Sequence, residues 1–270
     1  MAETLHVETR DHVAEVVLRS GTKGNPMGPV FWKELPKTFE ALDADPAVRA
    51  VLLRADGPHF TFGLDLRGMM AELGPVVAGG LAEERTRLRE LVLELQRAIT
   101  SVATCRKPVV VAVNGLCIGG GVDLITACDI RIASKDARFS VREVKVAMVA
   151  DIGTLQRLPR IVGEGHAREL CLTGRDIDAE RALRIGLVND LYDTSEALWE
   201  AGRALAAEIA GNPPLVVSGV KNVMNERIRA EDDAGLRYVA VWNAAFLPSA
   251  DLGEALSAFA EKRPPRFAGK

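Results

Sequence analysis

Hydrophobic and polar positions follow two different periods along the first two thirds of the chain. Short runs rich in β-branched residues at 5–9, 13–18 and 50–54 predict strands, the first two joined as a hairpin. Apolar residues at helical spacing over 30–42 and 83–104 predict amphipathic helices. Because strand and helix patterns alternate, we predict an α/β fold with helical crossovers.

The last third of the chain has a different pattern. Apolar positions at helical spacing follow one another without a strand pattern between them, at residues 195–210, 214–227, 232–246 and 251–259. A run of helices attached to an α/β core is expected to cap that core or to mediate oligomerisation. We therefore predict a core that carries the active site at residues 1–193 and a helical region at residues 194–270.

A buried strand followed by three glycines is the most informative local feature. The apolar run 109–113 predicts the strand, and the glycines at 119–121 precede helical spacing over 122–127. Glycines allow close approach to the backbone, and a helix start offers unpaired N–H groups that suit an oxyanion, with Asp123 beside them. Leu124 excludes a dinucleotide loop, because a third glycine is needed there. A plain tight turn fits the spacing equally well.

Composition and charge narrow the function classes. The chain has 270 residues, 48% of them hydrophobic and 26% charged, and a formal net charge of −3. With a pI near 5.9 and no cluster of Lys and Arg, we expect no nucleic-acid partner. No apolar run is long enough to span a membrane, so we expect no membrane association. The termini show neither a secretory signal nor a peroxisomal address, which led us to expect a cytoplasmic protein.

The cysteines and histidines give no metal-binding pattern. The four cysteines (Cys105, Cys117, Cys128 and Cys171) form no C-x-x-C pair, and the four histidines are scattered. We therefore expect reduced, mostly buried thiols and no metal site.

Two further carboxylates stand where a regular pattern ends. Glu143 follows an alternating run, at the point where the alternation breaks, which predicts a strand end or bend that opens on a cavity. The alternative is a surface acid paired with Arg142 or Lys145. Asp151 precedes a helical pattern, so it could equally be a helix N-cap, worth about 1 kcal/mol.

Several ordered blocks together resemble the enoyl-CoA hydratase/isomerase (crotonase) superfamily. They stand at residues 25–27, 62–66, 108–129, 137–139, 156–159 and 172–175. The resemblance extends over about residues 5–265, and the glycine block is its most specific part. It implies a crotonase-like superhelix of β-β-α units whose C-terminal helical region drives trimers, often paired into hexamers.

The resemblance also implies the substrate and its site. The substrate would be an acyl-CoA thioester, and no separate cofactor is expected because coenzyme A belongs to the substrate. Two backbone N–H groups, of Leu64 and Gly120, would form the oxyanion hole, each worth about 2.7–4 kcal/mol of barrier. The implied substrate contacts are Phe62, Gly63, Leu64, Asp65, Leu66 and Gly120.

The acids distinguish the reactions of this superfamily. Its hydratases carry glutamates at the positions of Asp123 and Glu143 and generally glycine at Asp151, whereas its dienoyl-CoA isomerases carry Asp, Glu and Asp, as here. The resemblance therefore implies conversion of a 3,5-dienoyl-CoA to a 2,4-dienoyl-CoA in β-oxidation. Glu143 would be the base at C2, Asp151 the acid at C6, and Asp123 a supporting group. We expect the three acids to titrate as a coupled set.

Two alternatives remain at this point. One is an enoyl-CoA hydratase with an unusual set of acids. The other is a non-catalytic member that binds acyl-CoA or a protein, although such a protein would need none of the three acids.

Overall fold

The β-branched runs build two sheets in the computed structural model, which describes residues 4–78 and 80–270. The strands are β1 (Leu5–Arg10), β2 (Val13–Leu18), β3 (Ala50–Ala55), β4 (Val109–Val113), β5 (Leu116–Ile118), β6 (Ile130–Ser134), β7 (Arg138–Ser140), β8 (Ile177–Asp178) and β9 (Asp190–Tyr192). The larger sheet has the order β1-β2-β3-β4-β6-β9, with an antiparallel β1–β2 hairpin as predicted and parallel pairs beyond it. The smaller sheet has the order β5-β7-β8. Successive strands, β4 then β5 and β6 then β7, thus alternate between the sheets.

Helices connect and cover these strands. They are α1 (Pro29–Ala44), α2 (Met70–Ala78), α3 (Ala82–Thr104), α4 (Gly120–Thr126), α5 (Thr154–Val162), α6 (Glu164–Thr173), α7 (Ala179–Arg184), α8 (Ser195–Ala210), α9 (Pro214–Phe246) and α10 (Ala250–Glu261). A 3-10 turn at Glu143–Val146 follows β7. This α/β architecture, with helices gathered at its C-terminal end, confirms the predicted fold class.

The larger sheet is covered on both faces, as a largely parallel sheet requires. One face contributes Val51 and Val111 to a cluster with Phe31 of α1 and Ile99 of α3. The other face packs against α8. Gly202 permits that contact, because a Cβ there would lie 2.8 Å from Leu52 Cδ1. The first helix of the predicted C-terminal region therefore packs on the core sheet, and the division at residue 194 stays a prediction.

The C-terminal helices differ from the expectation in one respect. Two helices were predicted at 214–227 and 232–246, but α9 is a single helix of 33 residues. The intervening Ile-Arg-Ala-Glu contains neither Gly nor Pro, so nothing in the sequence ends the helix there. Within the part of the chain that the structure describes, no helix combines the length and the apolar character needed to cross a membrane.

Candidate active site

The glycine turn lies where the smaller sheet meets α4. Gly119 follows β5 with φ 54° and ψ −120°, a conformation that L side chains rarely adopt. Its N–H donates to Ser140 O at 2.9 Å, which ties the turn to β7. A Cβ at Gly119 would lie 3.3 Å from Glu143 Oε1. The turn therefore starts α4 at Gly120 and leaves room for the Glu143 carboxyl beside it.

A second glycine brings another backbone N–H to the same place. Gly63 has φ 79°, and a Cβ there would lie 2.5 Å from Ile118 O and 3.1 Å from Gly120 N. The neighbouring peptides pair with Met27, which donates to Gly63 O and accepts from the N–H of Asp65. A Cβ built on Gly120 would be 3.8 Å from Leu64 N. The N–H groups of Leu64 and Gly120 thus lie close together.

These two N–H groups are free for a ligand. Neither the N–H of Leu64 nor that of Gly120 donates to an acceptor within residues 4–78 and 80–270. The structure therefore brings together the two donors proposed from the sequence, in an arrangement that can bind one oxyanion.

The other residues of the 62–66 loop have different surroundings. Phe62 is 46% exposed, and its ring lies 5.2 Å from that of His59. The Asp65 carboxylate accepts from Gly68 N at 2.9 Å, so it shapes the loop. Leu66 is half-buried. Their contact with a substrate stays a prediction.

Asp123 is fully buried on α4 and holds the start of α5. Its Oδ1 accepts from Thr154 N at 2.6 Å, while Oδ2 is buried without a protein partner among the described residues. Burial raises the pKa of Asp123 to about 6, against the hydrogen bonds of Thr154 and the charge of Arg157, which lower it. Asp123 is therefore both a helix cap and a member of the site.

Glu143 opens the 3-10 turn after β7, as expected of a residue at a strand end. Its Oε2 is buried with no hydrogen-bond partner among the described residues. Burial, and then the charges of Asp123 and Asp151, raise the pKa of Glu143 well above its ordinary value. The surface alternative is wrong, because Oε2 is buried and Glu143 forms no ion pair with Arg142 or Lys145 among the described residues; Arg142 pairs with Asp176 instead.

Asp151 lies between these acids and the C-terminal helices. Its Oδ2 accepts from Asn243 Nδ2 at 2.6 Å. Burial raises the pKa of Asp151 to about 7, helped by the charge of Asp123 and opposed by the hydrogen bond from Asn243. The alternative of an N-cap is wrong, because α5 begins at Thr154 with Gly153 as its N-cap, and Asp123 binds the first N–H.

Two amide side chains of the site were missed from the sequence. Asn243 lies in the last turn of α9, and its local pattern gives no signal for a role in the site. Gln96 of α3 is 4% exposed and donates to Asp151 O at 2.7 Å. It stands on the apolar face of a predicted amphipathic helix, and a polar residue on that face was the available signal.

The chain is similar to known proteins along nearly its whole length. A family model described as "Enoyl-CoA hydratase/isomerase" matches residues 8–270. Two relatives are named Delta(3,5)-Delta(2,4)-dienoyl-CoA isomerase: a mitochondrial protein of Dictyostelium discoideum, 42% identical over 97% of this chain and 90% of its own, and a peroxisomal protein of Arabidopsis thaliana, 42% identical over 98% and 96%. The crystal structure of an enoyl-CoA hydratase/isomerase from Pseudoalteromonas atlantica T6c is 30% identical, with a TM-score of 0.86 over 98% of this chain and 100% of that one.

The names of these relatives overturn the expected location. We expected a cytoplasmic protein, whereas the similar proteins are mitochondrial in Dictyostelium discoideum and peroxisomal in Arabidopsis thaliana. The expectation rested on the absence of secretory and peroxisomal signals, and that absence does not show in which compartment the protein is found.

Proposed function

The chain belongs to the enoyl-CoA hydratase/isomerase family, and we propose that it converts 3,5-dienoyl-CoA to 2,4-dienoyl-CoA in fatty-acid oxidation. The observation that carries the proposal is the third acid. Asp151 lies in the site with a pKa raised to about 7, and it does not cap a helix. The second proton transfer, at C6 and far from C2, needs such a group. Water addition does not need it, because the hydratases of this family use acids at the positions of Asp123 and Glu143.

The first proton transfer is assigned to Glu143. The C2–H bond of the substrate breaks, its proton goes to Glu143, and the electron pair spreads from the thioester oxygen out to C6. The N–H groups of Leu64 and Gly120 stabilise the charge on the oxygen. The position of Glu143 Oε1 beside Gly119 supports this assignment, because Gly119 immediately precedes one of these donors.

The second proton transfer is assigned to Asp151. Its O–H bond breaks, a C6–H bond forms, and the double bonds move from positions 3 and 5 to 2 and 4. No electrons are gained or lost, so the reaction needs no redox cofactor. Glu143 then returns a proton to Asp151 through solvent, which restores the starting state.

The number of protons that the three carboxyls can hold near neutral pH is compatible with this scheme. Close carboxyls that are buried together do not all ionise near neutral pH. Asp123 and Glu143 are both buried, and the charge of Asp123 raises the pKa of Glu143, so we propose that the two carboxyls share one proton. When Asp123 holds that proton, Glu143 stays ionised as the base, and this is the supporting role that we propose for Asp123.

The hydratase alternative requires a water held between Asp123 and Glu143. Asp123 is one methylene shorter than glutamate, and its Oδ1 is already bound to Thr154 N. This leaves a single oxygen, Oδ2, for a water, which disfavours the alternative.

One paired assay separates the candidate functions. The protein is incubated with a 3,5-dienoyl-CoA and, separately, with crotonyl-CoA. A rise in conjugated-diene absorbance with the first substrate is the expected result. Rapid hydration of crotonyl-CoA without any diene signal would establish the hydratase instead. Binding of both thioesters without turnover would identify a non-catalytic member.

We also propose that the protein is a homotrimer or a pair of trimers held by the helical region. The first half of α9 exposes several large apolar side chains: Leu215, Val216, Val220, Val223 and Met224. A contiguous apolar surface of this kind is typical of a protein interface. Light scattering should give three or six times the chain mass of 29.1 kDa, and a monomer at micromolar concentration would contradict the proposal.

A further inference from the structure

The acid Asp151 is held by a residue of the helical region. Asn243 lies on α9 and is 2% exposed. Its Nδ2 donates to Val149 O at 2.9 Å and to Asp151 Oδ2 at 2.6 Å. The amide group therefore uses its donors on the short segment that carries the acid, and it contacts the carboxyl itself.

A second amide holds the same segment differently. Gln96 Nε2 on α3 donates to the main-chain oxygen of Asp151 at 2.7 Å and to Leu236 O at 2.9 Å. Gln96 thus ties α3, α9 and the Asp151 backbone together without a hydrogen bond to the carboxyl. The two amides form a natural pair for comparison, because they bind the same residue through different groups.

The hydrogen bond from Asn243 determines which oxygen of Asp151 can carry a proton. An amide N–H only donates, so Oδ2 must accept, and the proton of the neutral acid belongs on Oδ1. Oδ1 makes no hydrogen bond to a residue of the described chain and is not completely buried, so it is the oxygen left for the substrate. The charged groups that face this carboxyl are Asp123 of α4 and Glu143 of the 3-10 turn.

We propose that Asn243 is a positioning residue that fixes the carboxyl plane of Asp151 and confines its transferable proton to Oδ1. The inference rests on the proposed isomerisation and deepens it. It makes α9 part of the catalytic arrangement, so the helical region does more than join subunits.

The principal test is Asn243→Ala, with Gln96→Met as the matched control. In Asn243→Ala we expect kcat to fall at least about tenfold, because the proton is no longer held toward the substrate, with KM within about twofold. The alkaline limb of the kcat/KM profile should move up by roughly one pH unit, since a hydrogen bond to the ionised form is lost. Gln96→Met should lower the melting temperature and leave that limb in place.

A second variant and a spectroscopic measurement test the proposal in case Asn243→Ala does not fold correctly. Asn243→Asp keeps the side-chain shape but replaces the donor with an acid, so it should also lower kcat and move the alkaline limb upward. Infrared difference spectra against Asp151→Asn report the Asp151 carboxyl directly. Its titration should move to higher pH in Asn243→Ala and stay unchanged in Gln96→Met.

The possible failures are distinguishable. A wild-type protein without isomerase activity refutes the proposed function, and the inference as a statement about catalysis is lost with it. An active wild type whose alkaline limb and carboxyl titration are unchanged in Asn243→Ala refutes the inference alone. Equal shifts in Asn243→Ala and Gln96→Met would also refute it, because they would show a general loosening of the segment.

Discussion

Replacing Asp151 by Asn should abolish the proposed isomerisation and stabilise the fold. Asparagine keeps the shape of the side chain, and its oxygen can still accept the hydrogen bond from Asn243, so the local contacts survive. It cannot deliver a proton to C6. Loss of a general acid typically lowers the rate by about 10²–10⁴, and we expect kcat to fall by that factor with little change in KM.

The gain in stability follows from the pKa of Asp151. That pKa rises from 3.8 to about 7 on folding. A raised pKa means that ionisation favours the unfolded chain, so stability present below pH 4 is lost as the pH rises through 7. The difference between 3.8 and about 7 corresponds to about 4 kcal/mol above pH 7. Asp151→Asn removes this penalty, so its advantage in melting temperature should grow between pH 4 and pH 8.

The assay combines diene absorbance with thermal unfolding at several pH values. Asp193→Asn is the matched control, because Asp193 is an exposed carboxylate that pairs with Lys135 at the surface. It should leave both kcat and melting temperature nearly unchanged. Isomerisation by Asp151→Asn within tenfold of the wild type would refute the assignment of the acid. A stability difference independent of pH would refute the argument from burial.

Three further predictions concern other parts of the site and fold. Gly63→Ala should lower kcat by about 10²–10³ in steady-state assays, because a Cβ 2.5 Å from Ile118 O displaces the neighbouring donor; an effect on KM alone would contradict this. Asp123→Asn should move the acidic limb of the kcat/KM profile to lower pH, because the Asp123 charge raises the pKa of Glu143. An unmoved limb would show that the charge of Asp123 does not act on Glu143. Gly202→Ala should cost about 1–3 kcal/mol in denaturant unfolding without changing kcat, and an unchanged midpoint would show that α8 adapts to the added methyl.

The parts of the fold that depend on local pattern could be predicted from the sequence. The β1–β2 hairpin and strand β4 were predicted correctly because their alternation or apolar runs are short-range signals, whereas the three-residue β5 between β4 and the glycine turn was missed. The single α9 was missed because two apolar stretches were separated without any Gly or Pro to end the first. The end of a helix should be predicted only where a residue such as Gly or Pro ends it, and a change in the apolar pattern alone is not enough.

The site was predictable where its chemistry is local and unpredictable where it depends on long-range contacts. The glycine turn and the three acids stand in recognisable blocks. The bond from Asp123 to Thr154 joins residues 31 apart, and the bond from Asn243 to Asp151 joins residues 92 apart. No periodicity encodes such pairs, because each depends on how α5 and α9 pack around the site. The N-cap was consequently considered as an alternative role of Asp151, whereas the residue that caps α5 is Asp123.

The correct assignment of that cap explains why aspartate suits position 123. Its Oδ1 accepts a hydrogen bond from Thr154 N at 2.6 Å, which leaves only Oδ2 without a partner among the described residues. An enzyme that activates water needs carboxylate oxygens on both sides of that water, and a side chain already bound to a helix start provides fewer of them. An isomerase needs no such water, so one oxygen can support α5 while the other is left for the supporting role that we propose for Asp123. A glutamate at this position would place its carboxyl one methylene further out, where the same oxygen could not keep the bond to Thr154 without moving α5.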